Sequence, residues 1–542
     1  MQDRRRFLSA ALLVAALPAL AAPGVSQANA TSDLMTYGDI LGGTATAVLT
    51  GATPNATAFI VPSLVDTGSN YLVGVSGDAN DFLTVDIDQA SHGTYFQGTT
   101  DAAGRYSKSF TIPATVTLLD RKVYWQAFTR PGGTGVDMFQ DFSRLRVMTL
   151  NHADRWQPAC APMPVASANL AYAVAETGEQ GLPTKLFVCG GGPALLTDPQ
   201  TPYPTIDRAW TYDLAGESFT LHAGAMADSR AFHAVTRLSD GRYLVTGGVT
   251  FGGQSGSNYF TEVLQSAEIY DPATDAFTTV APMNEYRAGH TATLLPSGRV
   301  LVAGGTEGDA NHRLFDVTDI LGTAHANTEI YNPATNQWTY HTNLPEPKAG
   351  HSATVLQDGR ILMAGGITHI TILGIPIPDF SDNAAIYNTG SASFTSVTMR
   401  VKRALFASTT LHDGRVLLAG GGGGDIFNIG PIAGVEIFDP ASNSFTRTSD
   451  LPAGTVFAGA VTLPDGRAAI IGGATGTLAD PIPVNAVRHI DPVTGAVSVG
   501  TTMTISHGGG VTVLTEDGIV LVAGGETDSG SATTAAETCT PD

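Results

Sequence analysis

Residues 287–305 read RAGHTATLLPSGRVLVAGG, and this stretch decides the fold. Residues 287–295 predict one β-strand, and a turn at 296–299 leads into a second strand at 300–303. The second strand, VLVA, is apolar on both faces, which is typical of a strand enclosed between two layers. A Gly-Gly pair, a long loop, a third strand at 328–331 and a fourth opening at Trp338 complete the unit.

The same unit recurs along the chain, each time with apolar residues running into a Gly-Gly pair. The pairs begin at Gly190, Gly247, Gly304, Gly365, Gly420, Gly472 and Gly524, at intervals of 52 to 61 residues. The first turn recurs as Asp-Gly-Arg at 240–242, 358–360, 413–415 and 465–467, and an Asx-Gly pair favours a two-residue hairpin. Seven units of four strands, joined by short and long loops in turn, predict a β-propeller.

These repeats resemble the kelch family, in the divergent form that is also seen in the propeller of galactose oxidase. The resemblance rests on all seven Gly-Gly units and covers the chain from about residue 151 to the end. It implies an all-β fold in which residues 149–542 form a seven-bladed kelch-type β-propeller.

The two ends of the repeat region complement each other. The seventh unit ends after Ala536–Cys539 without a fourth strand, and residues 151–156 supply a matching segment before the first unit, with Trp156 at the position of Trp338. A strand donated from the N-terminal side would close the ring and remove a sheet edge. Whether Cys160 and Cys539 form a disulfide is left open, because the proposed strand register places them about four residues out of step. Cys189 is interpreted as a small buried hydrophobic residue.

The N-terminus predicts export. Residues 1–30 combine the twin-arginine pattern R-R-x-F-L, beginning at Arg4, with an apolar run at 10–22 and an A-x-A cleavage site at 28–30. This resembles a Tat signal peptide, with a general secretory signal as the alternative. No later stretch reaches membrane-spanning length, so we expect an exported protein in the periplasm, on the cell surface or outside the cell, without membrane insertion after cleavage.

Residues 31–148 predict a separate, small β-sandwich-like domain. Its Val-, Thr- and Phe-rich strands alternate with turns, and residues 124–128 have the pattern of a half-buried strand. Its role is either that of a spacer or adaptor, or that of a module that binds a glycan or a surface.

The overall charge narrows the choice of partners. The net charge of −21 and the pI of about 4.9 disfavour nucleic acid and anionic membranes, because no basic stripe offsets the acidic surface. We therefore expect a protein or a glycan as the partner.

Strand alternation predicts which loops lie together. The tight turns gather at one end of the propeller, and the long unequal loops at 249–266, 306–327 and 367–383 gather at the other. Variable loops on a rigid scaffold commonly carry binding, so the end with the long loops is the candidate face.

A set of basic residues begins the innermost strands and is predicted to ring the channel mouth. It consists of Arg230, His233, Arg287, His290, Lys348, His351, Arg403 and His507. In an acidic protein such a ring would attract carboxylates or acidic sugars. The alternative is a scaffold role, in which these side chains hold the blades together through backbone carbonyls.

No catalytic residue, metal site or cofactor is predicted. The resemblance to galactose oxidase implies a copper-radical site, but the positions at which that family carries its tyrosines hold Phe232, Gly289, Gly350, Leu405 and Phe457. The loop pair His312 and His325 lacks further ligands at zinc spacing.

Two functions remain: a noncatalytic binding or scaffold protein, and a carbohydrate-active enzyme with carboxylates on its loops. An apolar patch on the loop face would favour the first, and paired carboxylates would favour the second.

Overall fold

The structure is a computed structural model of the chain. It describes residues 33–37, 44–50, 52–63, 71–72, 82–83, 96–102, 104–111, 122–130, 146–149, 155–159, 161–178, 181–214, 218–315, 319, 323–372, 375–425, 428–478, 480–516 and 518–541. The chain divides into two compact units, residues 1–155 with 542, and residues 156–541. In the described part, no helix is long and apolar enough to cross a bilayer.

The strands of the first unit form two main sheets. They are β1 (Asp33–Tyr37), β2 (Thr44–Thr50), β3 (Thr57–Ser63), β4 (Tyr71–Leu72), β5 (Phe82–Leu83), β6 (Phe96–Thr99), β7 (Tyr106–Thr111), β8 (Lys122–Arg130) and β9 (Arg146–Thr149). One sheet has the order β1-β2-β7 and the other β6-β3-β8-β9. Leu34 and Leu49 of the first sheet share one buried cluster with Ile60 and Ala127 of the second. The two sheets therefore bury their apolar sides in a common core, and the sandwich assignment with its boundary at residue 148 stays a prediction.

The second unit is built from four-stranded antiparallel sheets. Its blade strands are β10 (Gln157–Pro158), β11 (Ala171–Thr177), β12 (Pro183–Cys189), β13 (Arg208–Asp213), β14 (Ser218–Ala225), β15 (Ala234–Arg237), β16 (Tyr243–Thr246), β19 (Ala267–Asp271), β20 (Ala276–Val280), β21 (Thr291–Leu294), β22 (Val300–Ala303), β24 (Thr328–Asn332), β25 (Gln337–Tyr340), β26 (Ser352–Val355), β27 (Ile361–Ala364), β30 (Asn383–Asn388), β31 (Ser393–Thr398), β32 (Ala407–Thr410), β33 (Val416–Ala419), β36 (Val435–Asp439), β37 (Ser444–Arg447), β38 (Gly459–Thr462), β39 (Ala468–Ile471), β42 (Val487–Ile490), β43 (Val497–Val499), β44 (Val511–Leu514), β45 (Val520–Ala523) and β46 (Ala536–Cys539).

Among the described residues these strands form seven such sheets, which we number as blades 1 to 7 in the order of their Gly-Gly pairs. The blades are β11-β12-β13-β14, β15-β16-β19-β20, β21-β22-β24-β25, β26-β27-β30-β31, β32-β33-β36-β37, β38-β39-β42-β43 and β44-β45-β46-β10. The second strands of blades 2 to 7 are buried along their whole length, as the apolar pattern predicts. Their side chains fill the space between neighbours: Leu244 of blade 2 packs in one cluster with Val300 and Val302 of blade 3.

The predicted closing strand is confirmed, at a slightly later position. Gln157 and Pro158 of β10 pair with Thr538 and Glu537 of β46. Trp156 Nε1 donates to the Thr501 carbonyl at 3.0 Å, as Trp338 Nε1 donates to the Ala281 carbonyl at 2.8 Å. The N-terminal side therefore completes blade 7. Residues 151–154 and Cys160 lie outside the described residues.

The first turns of blades 2 to 6 differ from the predicted two-residue hairpin. In blade 2, Leu238 N–H donates to the Arg242 carbonyl at 2.7 Å and Gly241 N–H donates to the Leu238 carbonyl at 3.0 Å, which leaves three residues in the loop. Gly241 has a φ of +89°, whereas Asp240 does not take a positive φ. The Asp240 carboxylate instead accepts the Arg242 N–H at 3.1 Å, so the aspartate caps a turn with one left-handed glycine.

The two ends of the propeller differ. The turn face carries these tight turns and the outer hairpin turns. The loop face carries the segments after each Gly-Gly pair and the connections between blades. Additional strands on the loop face are β17 (Val249–Ser255), β18 (Asn258–Val263), β23 (Arg313–Leu314), β28 (Ile367–Ile372), β29 (Ile375–Phe380), β34 (Gly422–Asp425), β35 (Asn428–Pro431), β40 (Ala474–Gly476) and β41 (Pro481–Pro483). The first three form one sheet, and the others form hairpins.

Candidate functional site

The four predicted cations are buried. Arg230, Arg287, Lys348 and Arg403 have no exposed side-chain surface. Each donates to the carbonyl of the first glycine in its own repeat, at 2.7 to 3.2 Å. Ser167, Thr455 and His507 make the equivalent bond in blades 1, 6 and 7, at 2.6 to 3.3 Å. Each of the seven repeats therefore has a side-chain donor that bonds to the carbonyl of its own first glycine.

The second glycine of each pair joins neighbouring blades. Gly248 N–H donates to the Arg287 carbonyl at 2.7 Å, and the six other repeats make the same bond, including Gly525 to Ser167 across the closure. Both glycines of every pair have positive φ, for example +56° at Gly247 and +91° at Gly248. A side chain disfavours this conformation, which explains why each repeat has Gly-Gly at this point.

Buried glutamates, which the sequence reasoning missed, neutralise the arginines. Glu268, Glu329 and Glu436 occupy equivalent positions in the third strands of blades 2, 3 and 5 and are at most 1% exposed. Arg287 Nη2 donates to Glu329 Oε1 at 2.8 Å, and Arg230 Nη2 donates to Glu268 Oε1 at 2.6 Å. The available signal was a glutamate in a strand that is otherwise apolar on both faces.

The fifth blade shows what burial does to such a pair. Arg403 Nη2 lies 3.2 Å from Glu436 Oε1. Burial lowers the pKa of the Arg403 guanidinium to about 10 and raises the pKa of the Glu436 carboxyl, while the partner charge opposes each shift. Leaving either buried charge without its partner would cost free energy, so Glu436 holds the Arg403 side chain inside the blade.

The three repeated histidines are also buried between blades. His233, His290 and His351 are less than a tenth exposed. Their Nε2 atoms contact Cys189 Sγ at 3.4 Å, Thr246 Oγ1 at 2.9 Å and Thr291 Oγ1 at 2.9 Å, each in the preceding blade. Burial lowers the pKa of His233 and of His351 to about 3 and lowers that of His290 as well.

These positions correct the predicted channel-mouth ring. The eight residues (Arg230, His233, Arg287, His290, Lys348, His351, Arg403 and His507) are all buried, so they present no ring of charge to a ligand in solvent. The bonds of His233, His290 and His351 join neighbouring repeats, and those of the other five residues hold the first glycine of their own repeat. The geometry therefore supports the scaffold role, which the sequence left open as the alternative.

A second ring lies two residues further along each innermost strand, and we call it the axial ring. Its members are Asn169, Phe232, Gly289, Gly350, Leu405, Phe457 and Gly509, all with φ between +52° and +67°. The N–H of each donates to the carbonyl of the equivalent residue in the preceding blade at 2.8 to 3.3 Å, and Asn169 N–H closes the circle on the Gly509 carbonyl. Seven backbone hydrogen bonds therefore form a closed ring at the centre of the propeller.

A small cavity opens above the axial ring on the loop face, and we call it the axial pocket. Its volume is about 50 Å³. Its wall includes the ring residues Phe232, Leu405 and Phe457 and the loop residues Leu196, Leu314 and Ile367. The predicted loops at 249–266, 306–327 and 367–383 all contribute lining residues, and none of the described lining residues has a titratable side chain.

The axial pocket does not suit a metal centre. Five of its lining positions are those that the sequence compared with the copper-binding tyrosines, and they hold only phenylalanine, glycine and leucine. No imidazole, thiolate or phenolate lines it, and the described residues contain no cluster of three or more potential metal ligands. These residues do not fit a copper ion.

The structure also explains two other sets of potentially reactive side chains. Burial raises the pKa of the Cys189 thiol to about 12, so its contact with neutral His233 is not an activated thiolate pair. The loop histidine His312 stacks on Tyr286 at a centroid distance of 3.7 Å, and His325 Nδ1 lies 3.3 Å from Arg287 Nη1. The two loop histidines thus have separate structural contacts.

Known proteins that resemble the chain contain kelch repeats. No protein-family model matches it. Kelch-like protein 36 of Rattus norvegicus is 26% identical over 247 residues, which are 45% of this chain and 36% of that protein. Kelch-like protein terF of Aspergillus terreus is 26% identical over 190 residues, 35% of this chain and 37% of that protein. The chain therefore spans little more than a third of the length of these curated relatives.

A solved structure shares the fold. It is a fungal alcohol oxidase of the AA5 family in complex with copper, which matches with a TM-score of 0.50 and 18% identity over 71% of this chain and 76% of that one. At this identity the likeness concerns architecture alone, and function must be argued from the site.

Proposed function

We propose that this kelch-repeat β-propeller is a noncatalytic binding protein that engages a protein partner through its loop face. Its kelch-like relatives support a protein-binding propeller. The observation that carries the proposal is the axial pocket, because the centre of the loop face is apolar and none of the lining residues that the structure describes has a titratable side chain.

The loop carboxylates support binding over carbohydrate chemistry. Glycoside hydrolysis commonly needs two carboxylates that face a substrate. Asp309 is paired with Arg313 at 2.9 Å, and Asp379 with Lys402 at 2.6 Å. Burial raises the pKa of Glu526, but its carboxylate accepts the Leu195 N–H and so holds a loop segment in place. Each of these groups already has a partner within the chain.

An aromatic patch near the axial pocket favours a protein as the partner. Phe251 is 38% exposed and its ring lies 6.2 Å from that of Tyr259. Phe260 and Phe315 lie 5.7 Å apart, and the Arg313 guanidinium sits within 5.6 Å of both rings. Aromatic and arginine side chains are enriched where proteins bind each other.

A Phe251→Glu substitution should reduce capture of the partner about tenfold, because a charge would be desolvated at the contact. The measurement is affinity capture from the exported proteins of the native source, with cross-links mapped onto the propeller. The matched control is Val493→Glu, since Val493 is 87% exposed but lies in an outer hairpin turn on the turn face. Equal capture by both variants would contradict the proposal, and loss of capture after enzymatic deglycosylation would favour a glycan.

We further propose export through the twin-arginine route. Replacing Arg4 and Arg5 together by lysine should leave the precursor inside the cell, because both arginines of the R-R-x-F-L pattern are removed while the charge is kept. Cell fractionation measures the outcome, with Arg6→Lys as the control. If the double variant is exported as efficiently as the parent chain, a general secretory signal is the better explanation.

A further inference from the structure

The axial ring repeats one backbone conformation but carries different side chains. Phe232, Leu405 and Phe457 hold bulky side chains at φ values of +53° to +56°, a region in which the Cβ is sterically disfavoured. All three line the axial pocket. The axial ring imposes this backbone at all seven positions, and at these three it places an apolar side chain in the wall of the pocket.

Two neighbouring ring positions have no side chain, but only the space at Gly289 is open, because a Cβ added to Gly350 would lie 2.8 Å from Leu405 Cδ2. Gly289 in blade 3 and Gly350 in blade 4 line the cavity. A Cβ added to Gly289 would meet a single heavy atom within 4 Å, the backbone nitrogen of Gly350 at 3.4 Å. On the other side of the axis a Cβ added to Gly509 would lie 2.6 Å from Leu195 Cδ2, so a loop leucine already fills that sector.

Polar groups of four lining residues are engaged elsewhere. The axial-ring N–H and carbonyl groups of Gly289 and Gly350 bond to their neighbours in the ring. Thr261 Oγ1 donates to the Leu314 carbonyl at 3.3 Å, and Thr306 Oγ1 accepts the Gly308 N–H at 3.3 Å. A polar or charged group would therefore lose its hydration here with little compensation.

The size of the cavity limits what can enter. At about 10 to 15 Å³ per water-sized sphere, a cavity of about 50 Å³ holds about four such spheres. A cavity of this size suits a small aliphatic group, and it is far below the roughly 300–1,000 Å³ of pockets that take drug-sized ligands.

We propose that the axial pocket receives one small aliphatic side chain from the protein partner, which anchors the partner on the propeller axis. This inference rests on the proposed function for the source of the side chain. The observations that carry it are the apolar wall and the open space at Gly289. The pocket thus excludes charge and selects for shape.

Gly289→Leu is the decisive variant, because Leu405 shows that the ring backbone accepts leucine at an equivalent position. The probe is dissolved 2-methylpropane, which is the leucine side chain as a free molecule. It is titrated into the full mature chain while the NMR signals of the Leu196, Leu314 and Ile367 methyl groups are followed. We expect saturable shifts in the parent chain and at least a tenfold weaker response in Gly289→Leu.

Leu405→Gly provides the opposite change, since it widens the same pocket and removes a disfavoured left-handed leucine. It should bind 2-methylpropane at least as tightly as the parent chain.

No saturable shift in the parent chain, an unchanged response in Gly289→Leu, or equal losses in both variants would overturn the inference. If Gly289→Leu loses the probe but captures the partner as well as the parent does, the anchor is refuted while the proposed function stands. If Phe251→Glu leaves capture unchanged, the proposed function fails instead.

Discussion

Replacing residues 156–159 with a Gly-Ser tetrapeptide should destabilise the propeller by about 5 kcal/mol or more. The Gly-Ser segment keeps its backbone donors but is more flexible, so it weakens the pairing of β10 with β46 and the bond from the residue 159 N–H to the Ala536 carbonyl, which is 2.8 Å in the parent chain. The replacement also removes the buried Trp156 side chain from the core between blades 6 and 7. Loss of a buried tryptophan alone costs about 3–5 kcal/mol, and each lost hydrogen bond adds about 1 kcal/mol.

Calorimetry of the mature chain measures this effect, which corresponds to a fall in unfolding temperature of about 10 °C. The variant should also aggregate, because β46 becomes an unpaired edge strand. Trp156→Ala and Trp338→Ala are the matched controls, since both tryptophans make the same hydrogen bond to the preceding blade. If the tetrapeptide variant unfolds at the same temperature as Trp156→Ala, the strand preference of residues 157–159 contributes nothing to closure.

Closure was predictable because it follows from counting strands. A missing fourth strand after Cys539 and a spare tryptophan segment before the first repeat leave one pairing that satisfies both ends. The Gly-Gly pairs were equally informative, because only glycine takes positive φ at two successive positions without cost. Repetition exposed both features.

The roles of the basic residues were not predictable in the same way. Sequence places Arg287 at the start of an innermost strand, but whether its guanidinium points to the channel or between the blades depends on a partner. That partner is Glu329, 42 positions away in the third strand. In blade 4 the basic residue has different partners. Ala385 takes the place of the glutamate, and Lys348 binds Glu346 and the Ser381 hydroxyl instead. Pairing of this kind is long-range and cannot be read from one repeat.

The axial pocket was partly visible in the sequence. The comparison with galactose oxidase singled out the positions of Phe232, Gly289 and Leu405, and the cavity lies at them. What the sequence could not reveal is that phenylalanine and leucine adopt left-handed backbone there, since propensity places neither residue in that region. The closed ring of hydrogen bonds imposes this conformation on every blade.

Acid should destabilise the propeller well above the pH at which most carboxylates are protonated. Burial lowers the pKa of His233 and His351 to about 3, so both imidazoles stay neutral in the folded chain. In the unfolded chain they bind protons below about pH 6.5, and the unfolded state is therefore favoured as the pH falls from about 6.5 towards 3. Each histidine contributes about 1.4 kcal/mol per pH unit, which amounts to about 5 kcal/mol for the two at pH 4.5.

Two buried carboxyl groups stabilise the folded chain as the pH falls, which is opposite to the effect of the histidines. Burial raises the pKa of Glu436 and Glu526, so the folded chain takes up protons there before the unfolded chain does. They offset part of the loss, while the lowered pKa of Asp240 and Asp358 adds to it only at more acidic pH. The net fall between pH 6.5 and 4.5 therefore reports mainly on the buried histidines.

His351→Phe isolates this contribution. Phe406 occupies the equivalent position in blade 5 and packs against Gly365 as His351 packs against Gly304, so the substitution copies a side chain that the fold already accepts. Urea unfolding at pH 6.5 and 4.5 should show a pH-dependent loss that is smaller by about 2–3 kcal/mol in His351→Phe. The control is the exposed His412, whose replacement by glutamine should leave the loss as it is in the parent chain. An unchanged loss in His351→Phe would mean that other groups bind the protons that unfold the propeller.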